Sequence, residues 1–320
     1  MAYLVTGLGY IGSAVAARLL ADGEEVVGVD NFFSTQREAI GPLEAASRFR
    51  LVAGSLTDPT VLAEAFDGPP IDTLIQLAGQ ASAHAAAASL DYTVSTNILG
   101  IQQLLRACAS HLVPRVVLAS SMRNYALPFP RRLTERAPLN PPDMVHLSQF
   151  VGETLLGTVQ HEHPDWNTRA TAVRIGTVHG VGPVMKTDPH FLAAPQLFCW
   201  KAARGEELYV NTDPSAVLAF VQLTDAVEGL IHCAAQCEAS LVNLATEVRS
   251  VQEVAEIVRD LGRQRGLDIH IEASGRARRP ARCTIGSALE NSGFRPSGRL
   301  EDSLGEVLDY YLTLPVISES

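Results

Sequence analysis

The strongest constraint on the fold is a glycine-rich turn near the start of the chain. A short apolar segment there ends in glycines with the spacing G-x-G-x-x-G, namely Gly7, Gly9 and Gly12. The first glycine permits a tight turn, the second lets the backbone approach a pyrophosphate, and the third lets a helix pack closely on the strand. A second apolar segment ends at Asp30, where an acidic residue is expected to bind the ribose of an adenosine. These features predict a dinucleotide site, with the pyrophosphate at a helix N-terminus, where the dipole favours anions.

Apolar segments and helical patterns alternate along the rest of the chain. Further strands are predicted at residues 50–53, 73–78, 115–119 and 170–175, and helices at 59–66, 92–111, 144–161, 191–204 and 250–265, with a last helix from Glu301 onward. Continuously apolar strands separated by helices predict a parallel sheet covered on both faces, the Rossmann-type doubly wound α/β fold. We expect a dinucleotide-binding domain over residues 1–180, with a return around 215–245. Residues 181–214 and 246–320 would form a smaller C-terminal substrate lobe that includes a basic loop at 276–282.

Composition limits the partners and the compartment. The formal net charge of −10 argues against nucleic acid as a partner. The 5 cysteines are scattered and lack the paired spacing of a metal site, so we expect no metal and a reducing, cytoplasmic compartment. No leader precedes the first strand and no apolar run is long enough to span a bilayer, so no membrane partner is expected.

A series of motifs follows in order along the chain. They are Thr6-Gly7 to Gly12, Asp30-Asn31, Leu77 to Gln80, Asn97 to Gly100, Ala119-Ser120-Ser121 to Tyr125, Arg174 to Gly180, Phe220 to Asp225, and Gly293 to Pro296. Together they resemble the extended short-chain dehydrogenase/reductases, the NAD-dependent epimerase/dehydratase family, over nearly the whole chain. The resemblance implies a nicotinamide cofactor, and we expect NAD(H) because a carboxylate at Asp30 repels the 2′-phosphate of NADP(H). NADP(H) stays open, because the nearby Arg37 would accommodate that phosphate.

The resemblance also implies the residues of the site. The cofactor would be bound by Gly7, Gly9, Tyr10, Ile11, Gly12, Asp30, Asn31, Ser55, Leu56, Leu77, Ala78, Gly79, Gln80, Asn97, Ala119 and Gln149. A small-molecule substrate would be bound by His84, Met122, Val145, Thr177, Phe191 and Phe198, with Ser121 and Arg123 in catalytic roles. Structural alternatives stay open for Ser121 as a turn cap, Arg123 as a solvated loop charge, His84 as a structural histidine, and the phenylalanines as core. We expect His146 at the surface and His179 in the packed interior.

The chain departs from the family at the catalytic helix. The family has a tyrosine followed four residues later by a lysine, and Val145 and Gln149 occupy these positions. No realignment restores the pair, because no tyrosine lies between Tyr125 and Tyr209 and no lysine precedes Lys186. The family's proton donor is therefore expected to be absent.

Three further departures bear on the cofactor and the substrate. The glycine turn is one residue shorter than is usual in the family, a length that serves other Rossmann folds. Met122 and Arg123 stand where the sugar dehydratases of the family carry acidic residues. Leu218 stands where nucleotide-sugar enzymes have an arginine for the diphosphate, although Arg278 or Arg279 would fill the family's second arginine position.

Three functions fit these observations. Our main hypothesis is an atypical NAD(P)H-dependent ketoreductase acting on a hydrophobic, aromatic or polyketide-like ketone, similar to the atypical ketoreductases of antibiotic pathways such as simocyclinone biosynthesis. The alternatives are a nucleotide-sugar epimerase or dehydratase and a catalytically silent NAD-binding protein. Oxidation of an alcohol needs a base for the hydroxyl proton, whereas ketone reduction depends mostly on placing the hydride donor against the carbonyl. Loss of the tyrosine therefore favours ketone reduction, with the proton supplied by an acidic hydroxyl of the substrate.

The resemblance further implies a homodimer. The helices expected at 92–111 and 144–161 correspond to those that form a four-helix dimer interface in the family. Their exposed faces would need covering, so we expect a second copy of the chain to pack there.

Overall fold

The chain folds around one long parallel sheet. The computed structural model describes residues 1–210, 216–273 and 283–315. Its strands are β1 (Ala2–Thr6), β2 (Glu25–Asp30), β3 (Phe49–Ala53), β4 (Thr73–Gln76), β5 (Arg115–Ser121), β6 (Arg132–Leu133), β7 (Arg169–Ile175), β8 (Thr177–His179), β9 (Leu208–Val210), β10 (Val217–Gln222), β11 (Leu241–Leu244), β12 (Glu247–Ser250), β13 (Ile271–Ala273) and β14 (Thr284–Ile285). Its helices are α1 (Tyr10–Ala21), α2 (Gly41–Glu44), α3 (Pro59–Ala65), α4 (Ala83–Ala88), α5 (Leu90–Val94), α6 (Ile101–Ser110), α7 (Met144–Glu162), α8 (Ala194–Ala202), α9 (Leu223–Gln236), α10 (Val251–Gln264) and α11 (Leu300–Thr313).

Seven strands form the main sheet, in the order β11-β7-β5-β4-β1-β2-β3, and every neighbouring pair is parallel. Helices cover both faces, so alternate residues of β1 belong to different apolar clusters. One cluster packs α1 and α9 on the sheet, and the other packs α3, α6 and α7. The predicted doubly wound α/β fold is confirmed. The strand order reverses between β1 and β4, and ligands of such sheets bind in the crevice at the carboxyl ends of these strands.

Two helices differ from those predicted. The helix expected at 92–111 is divided into α5 and α6 by a wider π-helical turn, Ser95–Gly100. Such turns occur mostly at functional sites, and this one carries Asn97, whose side chain binds the backbone of Gln80. The helix expected at 191–204 begins only at Ala194, because Pro195 lacks an N–H group and is tolerated only in the first turn. The basic loop expected at 276–282 lies outside the described residues.

A second group of elements packs around its own apolar cluster. β10 pairs with β12 and β8, and β9 pairs with β13. The helices α8, α10 and α11 pack together through buried side chains such as Phe198, Val254 and Leu304. Ser250 and Glu253 form a capping box at the start of α10. None of the described helices combines the length and the apolar character needed to cross a membrane.

Candidate active site

A cleft of about 570 Å³ opens at the carboxyl ends of β1, β2, β4 and β5. The glycine turn forms part of its wall. Gly7 has a φ of +79°, and a Cβ there would lie 2.5 Å from the backbone nitrogen of Ala78. A Cβ on Gly12 would lie 1.8 Å from the carbonyl oxygen of Gly7. Both positions therefore exclude a side chain, as the dinucleotide interpretation of the turn requires.

The N-terminus of α1 and Asp30 face this cleft. Gly9, which precedes α1, provides no side-chain cap, so the first N–H groups of the helix are available to an anion. The two carboxylate oxygens of Asp30 each accept a hydrogen bond of 2.6 Å, from the backbone N–H groups of Leu8 and Phe32. Burial raises the pKa of Asp30, and these two N–H groups offset part of the rise. The carboxylate is thus fixed in position, with lone pairs remaining for ribose hydroxyls.

Lys186 also lines the cleft, a position that was not predicted from the sequence. Its ammonium group lies 5.7 Å from the centre of the Phe191 ring. Burial lowers the pKa of Lys186, and the charge of Asp30 opposes that effect. The backbone here is held by the hydroxyl of Tyr311, which donates to the carbonyl oxygen of Lys186 at 2.9 Å. A partly buried cation suits an anionic ligand such as a pyrophosphate. No local sequence pattern indicates that the segment of Lys186 lies at this cleft, because the glycine turn and Asp30 are distant from it in the sequence.

Most of the residues predicted to bind the cofactor line this cleft. They are Gly7, Gly9, Tyr10, Ile11, Gly12, Asp30, Asn31, Ser55, Leu56, Leu77, Ala78, Gly79, Gln80, Ala119 and Gln149. Asn97 is the exception and corrects the prediction. Its buried side chain accepts a hydrogen bond from the N–H of Gln80 at 2.7 Å and donates to the carbonyl oxygen of Gln80 at 2.9 Å. Because these bonds occupy the amide, Asn97 positions the loop that holds Gln80 and does not itself line the cleft.

Gln149 provides a further indication of a bound ligand. Its Oε1 is buried beside the cleft, and no donor among the described residues reaches it. An unsatisfied buried polar atom costs roughly 1–3 kcal/mol, so a hydroxyl of a bound molecule is expected here. The glycine turn, the uncapped helix, Asp30 and this amide together fit a nicotinamide dinucleotide.

Ser121 and Arg123 lie at the end of β5, on the wall of the cleft. The Oγ of Ser121 accepts a hydrogen bond from the backbone N–H of Arg123 at 3.2 Å, and the side chain of Arg123 is exposed. A buried ion pair next to them joins Glu153 to Arg174 at 2.7 Å. Ser120 binds the same Glu153 carboxylate at 2.5 Å, so the pair ties the end of β5 to α7. This position is consistent with the catalytic roles predicted for Ser121 and Arg123, which stay predictions.

His146 corrects the expectation of a surface residue. It is 7% exposed and lines the cleft. Its Nδ1 lies 2.6 Å from Oδ1 of Asp143, which caps α7, and its backbone N–H donates to the same oxygen at 3.0 Å. Burial, and next the charge of Arg123, lower the pKa of His146 against the opposing effect of Asp143. Burial acts to raise the pKa of Asp143, but hydrogen bonds and positive charge from His146, with the charge of Arg123, hold it below its usual value. The spacing D-x-x-H was the available sequence signal, because the side chain of an N-cap residue meets the third residue of its helix.

A second cavity, of about 490 Å³, adjoins the cleft, and Arg123, Thr177, Ala194 and Leu218 line both. Of the residues predicted to bind substrate, Met122, Thr177 and Phe198 line this cavity. His84 and Phe191 line the cofactor cleft instead, where the ring of His84 packs against that of His190 at a tilt of 33°, with ring centres 4.2 Å apart.

Val145 corrects the prediction of a substrate contact. It is 1% exposed and lines neither cavity. His146 and Gln149, three residues apart, share one face of α7 and turn it towards the cleft, which leaves the side chain of Val145 in the interior. His179 is fully buried, as expected. Among the described residues, no group of three His, Cys, Asp or Glu side chains is arranged to hold a metal ion.

Comparisons with known proteins agree with a dinucleotide site of this kind. Residues 3–245 match the model of the NAD dependent epimerase/dehydratase family, and the chain belongs to that family. It is 25% identical to UDP-glucuronic acid decarboxylase 6 of Arabidopsis thaliana over 319 residues, which cover 95% of this chain and 87% of that protein. It is also 25% identical to UDP-glucose 4-epimerase of Mycolicibacterium smegmatis, over 97% of this chain and 98% of that protein. The crystal structure of the Thermus thermophilus UDP-glucose 4-epimerase in complex with NAD has a TM-score of 0.81 and 24% identity, covering 98% of this chain and 99% of that chain.

Family membership confirms several predictions. It confirms the resemblance to the extended short-chain dehydrogenase/reductases, the dependence on NAD, and NAD(H) as the cofactor. The comparisons give no support to a ketoreductase or to a role in antibiotic biosynthesis, and the curated relatives named above are instead an epimerase and a decarboxylase.

Proposed function

We propose that the protein acts on a nucleotide sugar, oxidising and re-reducing one carbinol carbon as an epimerase or dehydratase does. The observation that carries this proposal is the second cavity, which joins the cofactor cleft at Arg123, Thr177 and Leu218. A substrate held there would present a reacting carbon at the end of β5, beside Ser121. Nucleotide sugars combine a flat base, an anionic diphosphate and a polar ring, and the relatives named above act on such molecules.

Positive charge within a mostly apolar wall favours an anionic substrate. Lys201 lines the cavity, and its ammonium group lies 3.7 Å from Glu206. A pair of this length between partly exposed side chains is weak, so the lysine stays available to a phosphate. Arg123 supplies a second cation at the junction of the two cavities. Lys201 would take over the role of the arginine that Leu218 replaces, while Arg278 and Arg279 lie outside the described residues.

Tyr209 offers a surface for the base. It lies in β9 at the same cavity and is 47% exposed. Flat bases stack on aromatic rings, at roughly 1–3 kcal/mol per base. An exposed ring in the cavity that Lys201 also lines therefore fits a ligand with a base and a diphosphate.

The roles of the chain's residues follow from this arrangement. When bound, the cofactor supplies a two-electron acceptor that takes up and later returns a hydride. Ser121 would donate a hydrogen bond to the reacting oxygen and so orient it. The charge of Arg123 would stabilise an alkoxide as it develops. Gln149 would hold a hydroxyl of the cofactor through its buried Oε1.

A ketoreductase acting on a hydrophobic ketone is the second candidate function. The specific observation in its favour is the apolar part of the second cavity, where Leu218 lies with Phe129 and Phe198. An aromatic ketone would fill this space without needing the two cations.

Binding of uridine nucleotides distinguishes the two candidates. Calorimetry of the NAD-loaded protein with UDP, UDP-glucose and UDP-glucuronic acid should detect binding, and Lys201→Met should weaken it roughly tenfold or more, because a charge-assisted hydrogen bond is lost. Arg204→Gln is the matched control, since Arg204 stacks on Trp200 at 3.9 Å and does not line the cavity. Reduction of hydroxylated aromatic ketones without UDP binding would favour the second candidate. Neither binding nor turnover would leave a silent NAD-binding protein.

The preference for NAD(H) over NADP(H) depends on Asp30. Its carboxylate would accept hydrogen bonds from the ribose hydroxyls and repel a 2′-phosphate. Asp30→Ala should therefore weaken NAD(H) roughly tenfold and narrow the gap to NADP(H), both measured by fluorescence titration. Unchanged NAD(H) affinity in Asp30→Ala would remove Asp30 from the cofactor site.

A further inference from the structure

His146 and Asp143 form a hydrogen-bonded pair at the start of α7, on the wall of the cofactor cleft. The carboxylate oxygen Oδ1 of Asp143 accepts from the backbone N–H of His146 and lies 2.6 Å from its Nδ1. Two contacts from one residue fix the imidazole ring with its Nδ1 directed at the carboxylate. The other ring nitrogen, Nε2, forms no hydrogen bond among the described residues.

The carboxylate also selects the tautomer of the ring. A carboxylate only accepts hydrogen bonds, so Nδ1 of His146 must be protonated to donate one to Asp143. Nε2 of the neutral ring then has a lone pair available to a hydroxyl in the cleft. This is the arrangement by which a carboxylate orients a catalytic histidine in other enzymes.

Two charged groups act on this histidine. Asp143 favours the protonated ring, whereas burial and the guanidinium of Arg123 favour the neutral ring. The latter effects are the larger, so the ring is neutral at pH 7 and is able to accept a proton. Ser121 lies on the same cleft wall, and its Oγ is bonded to the backbone N–H of Arg123 at 3.2 Å.

We propose that His146 is the acid–base catalyst of this site, oriented by Asp143, in place of the tyrosine that the chain lacks. The inference rests on the proposed function, because it assigns the base that oxidation of a sugar hydroxyl requires. The family's tyrosine position holds Val145, which is buried and lines neither cavity. His146 is the next residue along α7 and lines the cleft, so the helix presents an imidazole to the cleft that Val145 does not reach.

Nε2 of His146 takes the proton of the substrate hydroxyl, and the O–H bonding pair remains on the oxygen. That oxygen forms a C=O bond while the hydrogen on the same carbon leaves as a hydride to the nicotinamide. The alcohol is oxidised by two electrons and NAD⁺ is reduced. On the return step the imidazolium gives its proton back to the oxygen, so no further oxidant or acid is needed.

Two substitutions separate catalysis from folding. His146→Gln removes the base, and Asp143→Asn removes the charge but retains a residue that caps helices well. The matched control is His161→Gln, an exposed histidine near the other end of α7. Unchanged melting temperature and NAD affinity would establish that each variant is folded and loaded.

The first measurement is the rate at which bound NADH appears after mixing the NAD-loaded protein with a UDP-sugar. His146→Gln should slow this step about 10²–10⁴-fold, the usual contribution of a general base, with a much smaller change in KM. The wild-type rate should fall at acid pH, because protonation of His146 removes the base, and the fall should begin below the pH at which an ordinary histidine titrates, because burial and Arg123 lower the pKa of His146. That acid limb should vanish in His146→Gln and move to lower pH in Asp143→Asn, where the carboxylate no longer favours the imidazolium.

The second measurement needs no substrate. NMR titration of the ring, assigned by its absence in His146→Gln, should give a lower pKa in Asp143→Asn than in the wild type. An unchanged titration would show that the two side chains are not coupled, and would overturn the proposal whatever the substrate.

The outcomes also separate this inference from the proposed function. If UDP-sugars are oxidised and His146→Gln retains both the rate and the acid limb, His146 is not the acid–base catalyst, whereas the proposed activity on nucleotide sugars is supported. If aromatic ketones alone are turned over, the proposed activity on nucleotide sugars is wrong. A loss of ketone reduction in His146→Gln as large as the loss expected with UDP-sugars would still support His146 as the acid–base catalyst. If neither class is turned over, both are wrong, and the pair serves only to cap α7.

Discussion

His179 lies in β8 with no exposed surface, and its Nδ1 is 2.6 Å from the hydroxyl oxygen of Ser303. No donor or acceptor among the described residues reaches its Nε2. Burial lowers its pKa to about 4, whereas a histidine in an unfolded chain titrates near pH 6.5. The unfolded state therefore binds more protons in the interval between these values. Stability contributed by the neutral ring is present above about pH 6.5 and is lost as the pH falls towards 4.

This difference predicts an acid-labile fold. Between pH 6.5 and pH 4 the wild type should lose roughly 3 kcal/mol of unfolding free energy through His179. Urea unfolding at several pH values measures the loss, and His179→Gln should show a correspondingly shallower dependence on pH. His161→Gln, which removes an exposed histidine, should follow the wild-type curve. Parallel curves for wild type and His179→Gln would mean that His179 titrates normally.

At the scale of elements, the turn between β1 and α1 tolerates the least change. A Cβ on Gly12 would lie 1.8 Å from the carbonyl oxygen of Gly7, so Gly12→Ala must displace backbone and not a flexible side chain. We expect this variant to lose at least about 1–3 kcal/mol of unfolding free energy and most of its affinity for NAD, because the helix N-terminus moves. Denaturant unfolding and cofactor titration measure the two effects.

The matched control is a glycine within a helix. Gly157 lies in α7, where a Cβ would have open space within 4 Å, so Gly157→Ala should stabilise the fold by roughly 0.5–1 kcal/mol. Cofactor affinity should not change in that variant. If Gly12→Ala bound NAD as well as Gly157→Ala does, the close packing of the turn would be irrelevant to binding.

A feature could be predicted from the sequence where the residues that determine it lie close together in the chain. The glycine turn, the two strands that flank it and Asp30 were predictable, because strand, turn and helix follow one another within one βαβ unit. The environment of His146 was not predicted, because the direction in which α7 faces the cleft depends on packing between distant elements. Its contact with Asp143 was nevertheless available in the D-x-x-H spacing. No local pattern indicated that Lys186 lines the cleft, because its loop is positioned by a contact with Tyr311, which lies 125 residues further along the chain.

At the scale of the whole molecule, the proposed function requires that the cofactor cleft and the second cavity adjoin. The sheet and its helices supply the cofactor cleft, and the elements around β10 and α8 supply most of the second cavity. Arg123 and Thr177, which lie close to the carboxyl ends of β5 and β7, border both. A substrate and a cofactor bound on either side would therefore meet at the strand ends, where Ser121 lies and where His146 of α7 lines the cleft.

The surface of α5, α6 and α7 carries the prediction of a homodimer. Leu99, in the turn between α5 and α6, is 48% exposed, and Leu147, on α7, is 41% exposed. Covering such side chains gains about 25 cal/mol for each Å² of apolar area removed from water. Sedimentation at micromolar concentration should therefore give about twice the chain mass of 34.3 kDa.

Charges placed on this surface test the same interface. Leu99→Glu combined with Leu147→Glu should give a monomer, because two carboxylates would have to be buried without partners. Leu312→Glu, at a leucine of α11 that is 39% exposed, is the control and should leave the dimer intact. A wild-type protein that sediments as a monomer would refute the dimer. A dimer that survives the double substitution would place the interface on another face of the molecule.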